Sequence, residues 1–149
     1  MENPFIYSIQ TIIERDLKKL EEEISLYPSE ESLWMIEGAI KNAAGNLCLH
    51  LCGNLQHYIG AVLGGSGYIR DRDREFAARN IPRERLISEI QKTKAAVRSA
   101  LEKVDPNTLD NIYPEHVFSY SMTTSYFLVH LTSHLGYHLG QVNYLRRLL

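Results

Sequence analysis

The chain has 149 residues, of which 44% are hydrophobic and 23% are charged, and its formal net charge is −2. A chain of this size and composition can bury a hydrophobic core, so we expect one globular domain over residues 1–149. The balanced charge excludes the strong basic field that draws proteins to nucleic acid or to anionic membranes.

The sequence carries no sign of export or of membrane insertion. The N-terminus lacks the basic region and the apolar stretch of a signal peptide, and no apolar run approaches the roughly 20 residues that a membrane helix needs. The two cysteines, Cys48 and Cys52, are too few for a disulfide framework. We therefore expect a cytoplasmic location with reduced thiols.

The first predicted helix begins at Asn3 and Pro4, because an Asn cap followed by proline at the first helical position is a good start signal. Pro28 ends this helix. Its apolar residues recur at helical spacing, at Phe5, Ile9, Ile12, Ile13, Leu20, Ile24 and Tyr27. This spacing predicts an amphipathic helix that buries one face.

The second predicted helix follows a possible cap at Ser29 and runs from about Glu30 to Leu63. The glycine cluster from Gly64 to Gly67 ends it. In the loop that follows, basic residues between Arg70 and Arg85 alternate with acidic ones. This local balance indicates a solvated, ion-paired segment.

The third predicted helix starts at Asn80 or Pro82 and is closed by Asp105 and Pro106, and the fourth runs from about Ser119 to the C-terminus. No segment alternates as a strand would. Four amphipathic helices in one small domain predict an all-α fold, a four-helix bundle. The long connection before the third helix can return the chain along the bundle, so that the second and third helices run parallel.

The core-facing positions of two helices turn polar partway along. In the second helix these positions are Ile36, Ile40, Ala43, Leu47, His50, Asn54, His57 and Ala61. In the fourth helix they are Phe127, His130, His134, His138, Gln141, Leu145 and Leu148. Five of the six histidines therefore lie on two core faces, and only His116 falls in a linker, where we expect it at the surface.

Buried imidazoles need partners, and a metal ion satisfies several of them together. Two histidines at i and i+4 can share an ion, and a third ligand from another helix completes the set. A histidine of the second helix is the candidate for that third ligand, while the spacing alone permits either His130 with His134 or His134 with His138. The alternative to a metal site is a hydrogen-bonded polar network, in which a single histidine such as His57 is an ordinary core residue.

Several other chemistries lack their motifs. The HExxH motif of zinc peptidases, the Glu-x-x-His motif of ferritin-like di-iron sites and a glycine-rich phosphate loop are all absent. Cys48 and Cys52 each stand two residues from His50, which at about 100° per residue places them far round the helix. We expect both to be small buried hydrophobes and not ligands or nucleophiles.

Two motifs resemble a known family. The run Leu49-His50-Leu51-Cys52-Gly53-Asn54-Leu55, followed near the C-terminus by His134-Leu-Gly-Tyr-His138-Leu-Gly-Gln141, is similar to the DinB/YfiT-like superfamily. The stretch from Asn46 to Leu55, together with Arg70-Asp-Arg-Asp-Arg-Glu75-Phe76, resembles one bacterial branch of it. The resemblance spans nearly the whole chain.

The resemblance implies an up-down-down-up bundle that binds a divalent metal, commonly nickel or zinc, through His50, His134 and His138, with the remaining positions open to water. His130, one turn earlier, could instead replace His138 or add a fourth ligand. The residues then expected to line the pocket are Asn54, His57, His130 and Gln141. The resemblance also implies a homodimer and, in some relatives, a low-molecular-weight thiol as cosubstrate.

The resulting hypothesis is a metal-dependent enzyme with a small-molecule substrate, either a thiol S-transferase or a hydrolase-like protein. A metal with open positions can lower the pKa of a bound thiol or water. No carboxylate is identifiable as a general base, which favours thiol transfer over hydrolysis. The alternative is a non-catalytic, metal-stabilised bundle that binds a ligand or partner. A further hypothesis is that the loop from Gly64 to Asn80 folds over the site, the alternative being a mobile connection.

Overall fold

The computed structural model describes residues 3–149, and this part of the chain is helical without any β-strand. The α-helices are α1 (Pro4–Leu26), α2 (Ala44–Leu55), α3 (Arg72–Ala77), α4 (Arg83–Lys103) and α5 (Thr124–Arg147). A π-helical segment, Gln56–Ala61, continues α2, and short 3₁₀ turns occupy Glu31–Trp34 and Pro106–Thr108. No helix in the described range is long and apolar enough to cross a membrane.

Helix α1 has the predicted bounds. The Asn3 side chain accepts hydrogen bonds from the backbone N–H groups of Phe5 and Ile6, at 3.0 and 3.1 Å, and thereby caps the helix. The helix ends at Leu26, before Pro28. The prediction from the cap and the proline is confirmed.

Helix α2 begins at Ala44, so the prediction of a helix from about Glu30 is wrong. Residues 35–43 are irregular, with Gly38 at φ +60° in a conformation that interrupts a helix. Ile36, which the predicted pattern placed in the core, is 53% exposed. Apolar residues recur at helical spacing before Ala44 as well, so their pattern did not show where α2 begins.

The last part of the predicted helix, Gln56–Ala61, follows a π-helical path. The N–H of Val62 donates to the carbonyl oxygen of His57, five residues earlier, at 3.0 Å. The chain leaves the helix at Gly65, which has φ +63°. The glycine cluster ends this helix as predicted, and a π-helical turn directly after the polar face is a local distortion often found beside functional sites.

The charged segment that was predicted to be solvated is in fact folded against α2, because it contains α3. Asp71 caps α3 by accepting a hydrogen bond from the N–H of Arg74 at 3.2 Å. The buried Asn46 of α2 donates to the backbone carbonyls of Glu75 and Ala78 at 3.0 and 2.9 Å. Glu75 is only 5% exposed, whereas Asp71, Arg72, Asp73 and Arg74 are exposed, so the segment is solvated except for one carboxylate that it buries against α2.

Helix α4 starts at Arg83, as expected after Pro82, whereas α5 starts at Thr124 and not near Ser119. The Thr123 hydroxyl caps α5 by accepting from the N–H of Tyr126 at 3.1 Å. Ile112 and Thr123 form an isolated antiparallel bridge, which closes the segment before α5.

Helix α1 packs against α4 and α5. Along α4, Gln91 donates to Glu21 of α1, and the later residue Arg98 donates to the earlier residue Glu14. Along α5, Asn143 and Arg146 both donate to Glu23, near the C-terminal end of α1.

Helix α2 and its π-helical extension pack against α4 and contact α5. Gln56 donates to Thr93 at 3.1 Å, and Gly64 lies close to Ala100 further along both segments. The fully buried side chains at the centre include Ile13, Leu17, Leu51, Leu55, Leu86, Ile90, Phe127 and Leu135. This apolar core holds the polar faces of α2 and α5 opposite each other.

Candidate metal centre

Three histidines from the two polar faces meet between α2 and α5. His50 of α2 and His134 and His138 of α5 each offer one ring nitrogen, and these nitrogens lie within 4.8 Å of one another. The closest approach joins His50 Nε2 and His134 Nε2 at 3.2 Å. This cluster could hold a metal ion.

The distance between the ring nitrogens of His50 and His134 fits a shared transition metal. With metal–nitrogen bonds of about 2.0–2.1 Å, two imidazole nitrogens in a tetrahedral site stand roughly 3.4 Å apart. The 3.2 Å between the nitrogens of His50 and His134 is close to this value. Imidazole ligands suit zinc, copper, iron and nickel.

The surroundings keep the two imidazoles of α5 neutral. Burial, followed by the proximity of His138 and His50, lowers the pKa of His134 to about 3. Burial also lowers the pKa of His138, although its hydrogen bond with Gln141 acts in the opposite direction. Neutral imidazole has a free lone pair and is the form that binds a metal.

His130 lies outside this cluster. Its ring stacks on Phe127 at a centroid distance of 5.8 Å and meets Phe118 edge-on at 4.9 Å. Its centroid is 6.4 Å from that of His134, whereas the centroid of His138 is 4.6 Å away. The structure therefore groups His138, and not His130, with His50 and His134.

The other ring nitrogens of two of these histidines have partners. His138 Nδ1 lies 2.7 Å from Gln141 Oε1, which accepts its proton and leaves Nε2 free. His50 Nδ1 lies 3.0 Å from Glu75 Oε1. His134 Nδ1 and the Oδ1 atom of Asn54 are buried and have no hydrogen-bond partner among the described residues.

Glu75 is the site residue that the sequence analysis did not identify. Arg70 donates to both of its carboxylate oxygens, from Nε to Oε2 and from Nη2 to Oε1, each at 2.9 Å. Burial acts to raise the pKa of Glu75, but the hydrogen bonds from His50 and Arg70 outweigh it and lower the pKa below its usual value. The carboxylate is therefore ionised at neutral pH, and both of its oxygens accept hydrogen bonds.

Gly53 was the one sequence signal that pointed to this contact. A glycine inside a helix costs about 1 kcal/mol relative to alanine, so its presence there indicates a close approach by another group. A Cβ atom at Gly53 would stand 1.8 Å from Glu75 Oε2 and 3.4 Å from Arg70 Nε. The missing side chain leaves the space that the carboxylate occupies.

The remaining predicted residues take different places. His57 is half-buried and lies 2.7 Å from the carboxylate of Glu115, so it is paired outside the cluster. His116 is exposed, as expected. Cys48 and Cys52 are free and buried, in keeping with the prediction that they behave as small hydrophobes.

A cavity of about 550 Å³ adjoins the cluster at His138. Gln141 and Tyr137 of α5 line it on one side, and Lys41 of the irregular segment 35–43 lines it on the other. The lining is otherwise mainly aliphatic and aromatic, with no Asp or Glu among its described residues. The irregular segment, predicted as helix, therefore forms a wall of this cavity.

The chain matches a family model over residues 2–149, and that family is described as "Protein of unknown function (DUF1572)". A comparison with curated proteins gives no match. The crystal structure of a DinB-like protein from Bacillus cereus ATCC 10987 is similar, with a TM-score of 0.69 and 17% sequence identity. The match covers 89% of this chain and 84% of that one. The chain thus belongs to the DUF1572 family and has a DinB-like fold.

Proposed function

We propose that this protein is a metal-dependent enzyme in which His50, His134 and His138 hold one divalent ion, nickel or zinc. The observation that carries the proposal is the convergence of three histidine ring nitrogens within 4.8 Å beside a cavity. The bound ion supplies a Lewis acid that lowers the pKa of a thiol or water.

We also infer an up-down-down-up arrangement of α1, α2, α4 and α5. It is supported by the order of contacts along the helices. Helix α4 contacts α1 in opposite chain order, at Gln91 with Glu21 and Arg98 with Glu14. The C-terminal parts of α1 and α5 meet at Glu23, and later residues of the α2 extension meet later residues of α4.

Three protein ligands favour catalysis over a purely structural role. Structural zinc sites commonly have four protein ligands, whereas catalytic sites keep a position open. The cluster in the described chain has three members, and His130 packs on aromatic rings outside it. His138 lines the cavity, so a substrate in that space would lie beside the cluster that would hold the ion.

The reaction that fits these residues best is transfer to or from a low-molecular-weight thiol. Glu75 is engaged by Arg70 and His50, so it is not free to act as a general base for hydrolysis. Cys48 and Cys52 are buried, so the protein's own thiols do not supply the nucleophile. The cationic Lys41 suits a cosubstrate with negative charge.

A non-catalytic role is the second candidate, because an ion shared by α2 and α5 would tie the two halves of the molecule together. In that case the cavity at His138 binds a ligand or a partner without turning it over. Metal binding would then contribute to folding free energy.

The first test is the metal content of protein purified without a histidine tag. We expect about one equivalent of a divalent transition metal in the wild type, and far less in His50→Ala and His134→Ala. His116→Ala is the matched control, because His116 is exposed and outside the cluster. A wild type that holds well below one equivalent even after reconstitution with nickel and zinc would refute both candidates.

The second stage separates the two candidates. The metal-loaded protein is incubated with bacillithiol, mycothiol or glutathione and a panel of electrophilic acceptors. We expect thiol transfer that is lost in His138→Ala and kept in His116→Ala. Full metal loading without turnover of any pair would favour the non-catalytic bundle.

A further inference from the structure

We propose that Glu75 is a positioning residue for the metal site, because its carboxylate accepts the Nδ1 proton of His50 and directs the Nε2 lone pair to the ion. This inference rests on the proposed metal site and assigns a function to the segment between α2 and α4. A residue of α3, distant in sequence from the ligands, then sets the tautomer and the orientation of His50.

The hydrogen-bond geometry determines which nitrogen of His50 carries the proton. Both oxygens of Glu75 already accept from Arg70, so the carboxylate is an acceptor and has no proton to donate. His50 Nδ1 stands 3.0 Å from Oε1, and a lone pair at that position would face another lone pair. The proton must therefore be on Nδ1, which leaves Nε2 free toward His134.

Arg70 offers the one competing arrangement. Its Nη2 atom lies 3.3 Å from His50 Nδ1 and could donate to a deprotonated nitrogen. It also lies 2.9 Å from Glu75 Oε1, the shorter contact, where it meets an anionic acceptor. Charge-assisted hydrogen bonds are the stronger ones, so Arg70 donates to the Glu75 carboxylate and not to His50. The carboxylate in turn accepts the Nδ1 proton of His50.

Glu75 is held through its backbone as well as through its carboxylate. The backbone carbonyl of Glu75 accepts a hydrogen bond from Asn46 of α2 at 3.0 Å, which fixes α3 against the helix that carries His50. The next residue, Phe76, places its ring 4.8 Å from the His50 ring. The His50 imidazole is thus restrained by an anion at its edge and by an aromatic ring beside it.

Gly53 gives independent support for a built site. An alanine at this position would place a methyl group 1.8 Å from Glu75 Oε2, so the carboxylate could not keep its position. A glycine one turn after His50 destabilises the helix, but the carboxylate occupies the space that the missing side chain leaves. Outer-shell carboxylates of this kind orient histidine ligands and raise their basicity.

The chain provides matched comparisons. His138 has a neutral, exposed partner in Gln141, whereas His50 has a buried anion. His57 forms a second imidazole–carboxylate pair with Glu115, but this pair is outside the cluster. Loss of the Glu115 carboxylate should therefore leave metal binding unchanged.

The first measurement is the Zn²⁺ affinity of Glu75→Gln, determined by competition with a chromogenic chelator at fixed pH. We expect an affinity about 10- to 100-fold weaker than that of the wild type. Both oxygen positions face an Arg70 donor, so a glutamine can keep only one of these hydrogen bonds. When its oxygen keeps the bond from Arg70 Nε, its NH₂ group takes the place of Oε1, donates to His50 Nδ1 and shifts the proton to Nε2. Glu115→Gln is the control and should bind Zn²⁺ like the wild type.

Two further variants keep the test decisive if Glu75→Gln is unstable. Arg70→Gln/Glu75→Gln leaves no unpaired buried charge and should show the same loss of affinity. Gly53→Ala keeps Glu75 but displaces its carboxylate, and should also weaken Zn²⁺ binding. Wild-type affinity in the folded double variant would overturn the proposal.

The second measurement does not need the metal. Two-bond ¹H–¹⁵N correlation spectra of metal-free protein report the tautomer of each histidine. We expect His50 to be protonated on Nδ1 in the wild type and in Glu115→Gln, and to shift toward Nε2 protonation in Glu75→Gln. A wild-type His50 protonated on Nε2 would overturn the role of Glu75.

The two measurements distinguish the failure of this inference from the failure of the proposed function. A wild type that binds no Zn²⁺ would overturn the metal site itself. Tight Zn²⁺ binding that Glu75→Gln does not change would overturn the role of Glu75 alone.

Discussion

Cys48 and Cys52 flank the ligand His50 in sequence but are chemically shielded from solvent. They are 0% and 2% exposed. The hydrogen bond with Cys52 and burial raise the pKa of the Cys48 thiol well above its usual value. Because the thiolate is the reactive form, we expect no alkylation of either cysteine in the native protein.

The measurement is the mass of the protein after treatment with iodoacetamide at pH 8, with the same protein in denaturant as the control. Both thiols should react in the unfolded chain and neither in the folded one. Modification of Cys48 in the folded, metal-loaded protein would show that a protein thiol is accessible and would reopen its role as a nucleophile.

The site residues differ in how far the sequence could predict them. His50, His134 and His138 were recognisable as candidates because they occupy core-facing positions at helical spacing. The spacing left His130 open in place of His138, and the family resemblance favoured His138. Glu75 was not, because its place beside His50 depends on the path of a whole segment and not on a local pattern. The charge balance around it indicated solvation, whereas one of those acidic residues is buried against an arginine.

The joint between α1 and α5 depends on one acidic residue. Glu23 accepts from Asn143 at 2.7 Å and from Arg146 Nε at 2.6 Å. Burial acts to raise the pKa of Glu23, but the hydrogen bonds from Arg146 and Asn143 outweigh it and lower the pKa. The ionised form of this residue is therefore the one that stabilises the contact.

We expect Glu23→Gln to lower the melting temperature at pH 7 by a few degrees. A lowered native pKa means that the native state binds fewer protons than the unfolded state, so the contribution is complete above the unfolded pKa of about 4.3. It is lost as the pH falls through the native value. The difference between the wild type and Glu23→Gln should therefore shrink on acidification.

The check is thermal unfolding followed by circular dichroism between pH 7 and pH 3. Glu22→Gln is the control, because Glu22 is exposed. A difference that stays constant down to pH 3 would mean that packing, and not charge, connects α1 to α5 at this point.

For the helices, capping residues and prolines predicted the boundaries more reliably than the spacing of apolar residues did. The cap and the prolines gave both ends of α1, and Pro82 gave the start of α4 within one residue of Arg83. The start of α2 was missed because Ile36 and Ile40 continue its apolar spacing by coincidence. Gly38, at φ +60°, breaks the helix there, and a lone glycine is tolerated too often in helices to be a decisive stop signal.

Over the whole molecule, α5 carries an exposed apolar stripe beside its histidine face. The histidine face points to α2, while the stripe lies about a quarter-turn round the helix and remains exposed. Its members include Tyr126, Val129, Tyr137, Tyr144 and Leu148, each more than half exposed. A stripe along a helix of about 36 Å is unusual for a surface without a partner, and we propose on this basis a homodimer formed through α5.

We expect light scattering after size exclusion to give twice the mass of the chain. Val129→Lys and Tyr137→Lys should each shift the protein to the monomer, because a dimer about a two-fold axis would bury two like charges.

Tyr7→Lys is the matched control, since Tyr7 is similarly exposed but lies on α1. A wild type that stays monomeric at the highest concentration loaded would contradict the dimer. Dissociation by Tyr7→Lys alone would place the interface on α1. Because Tyr137 also lines the cavity at His138, a dimer through α5 would bring the second copy to the mouth of the proposed substrate site.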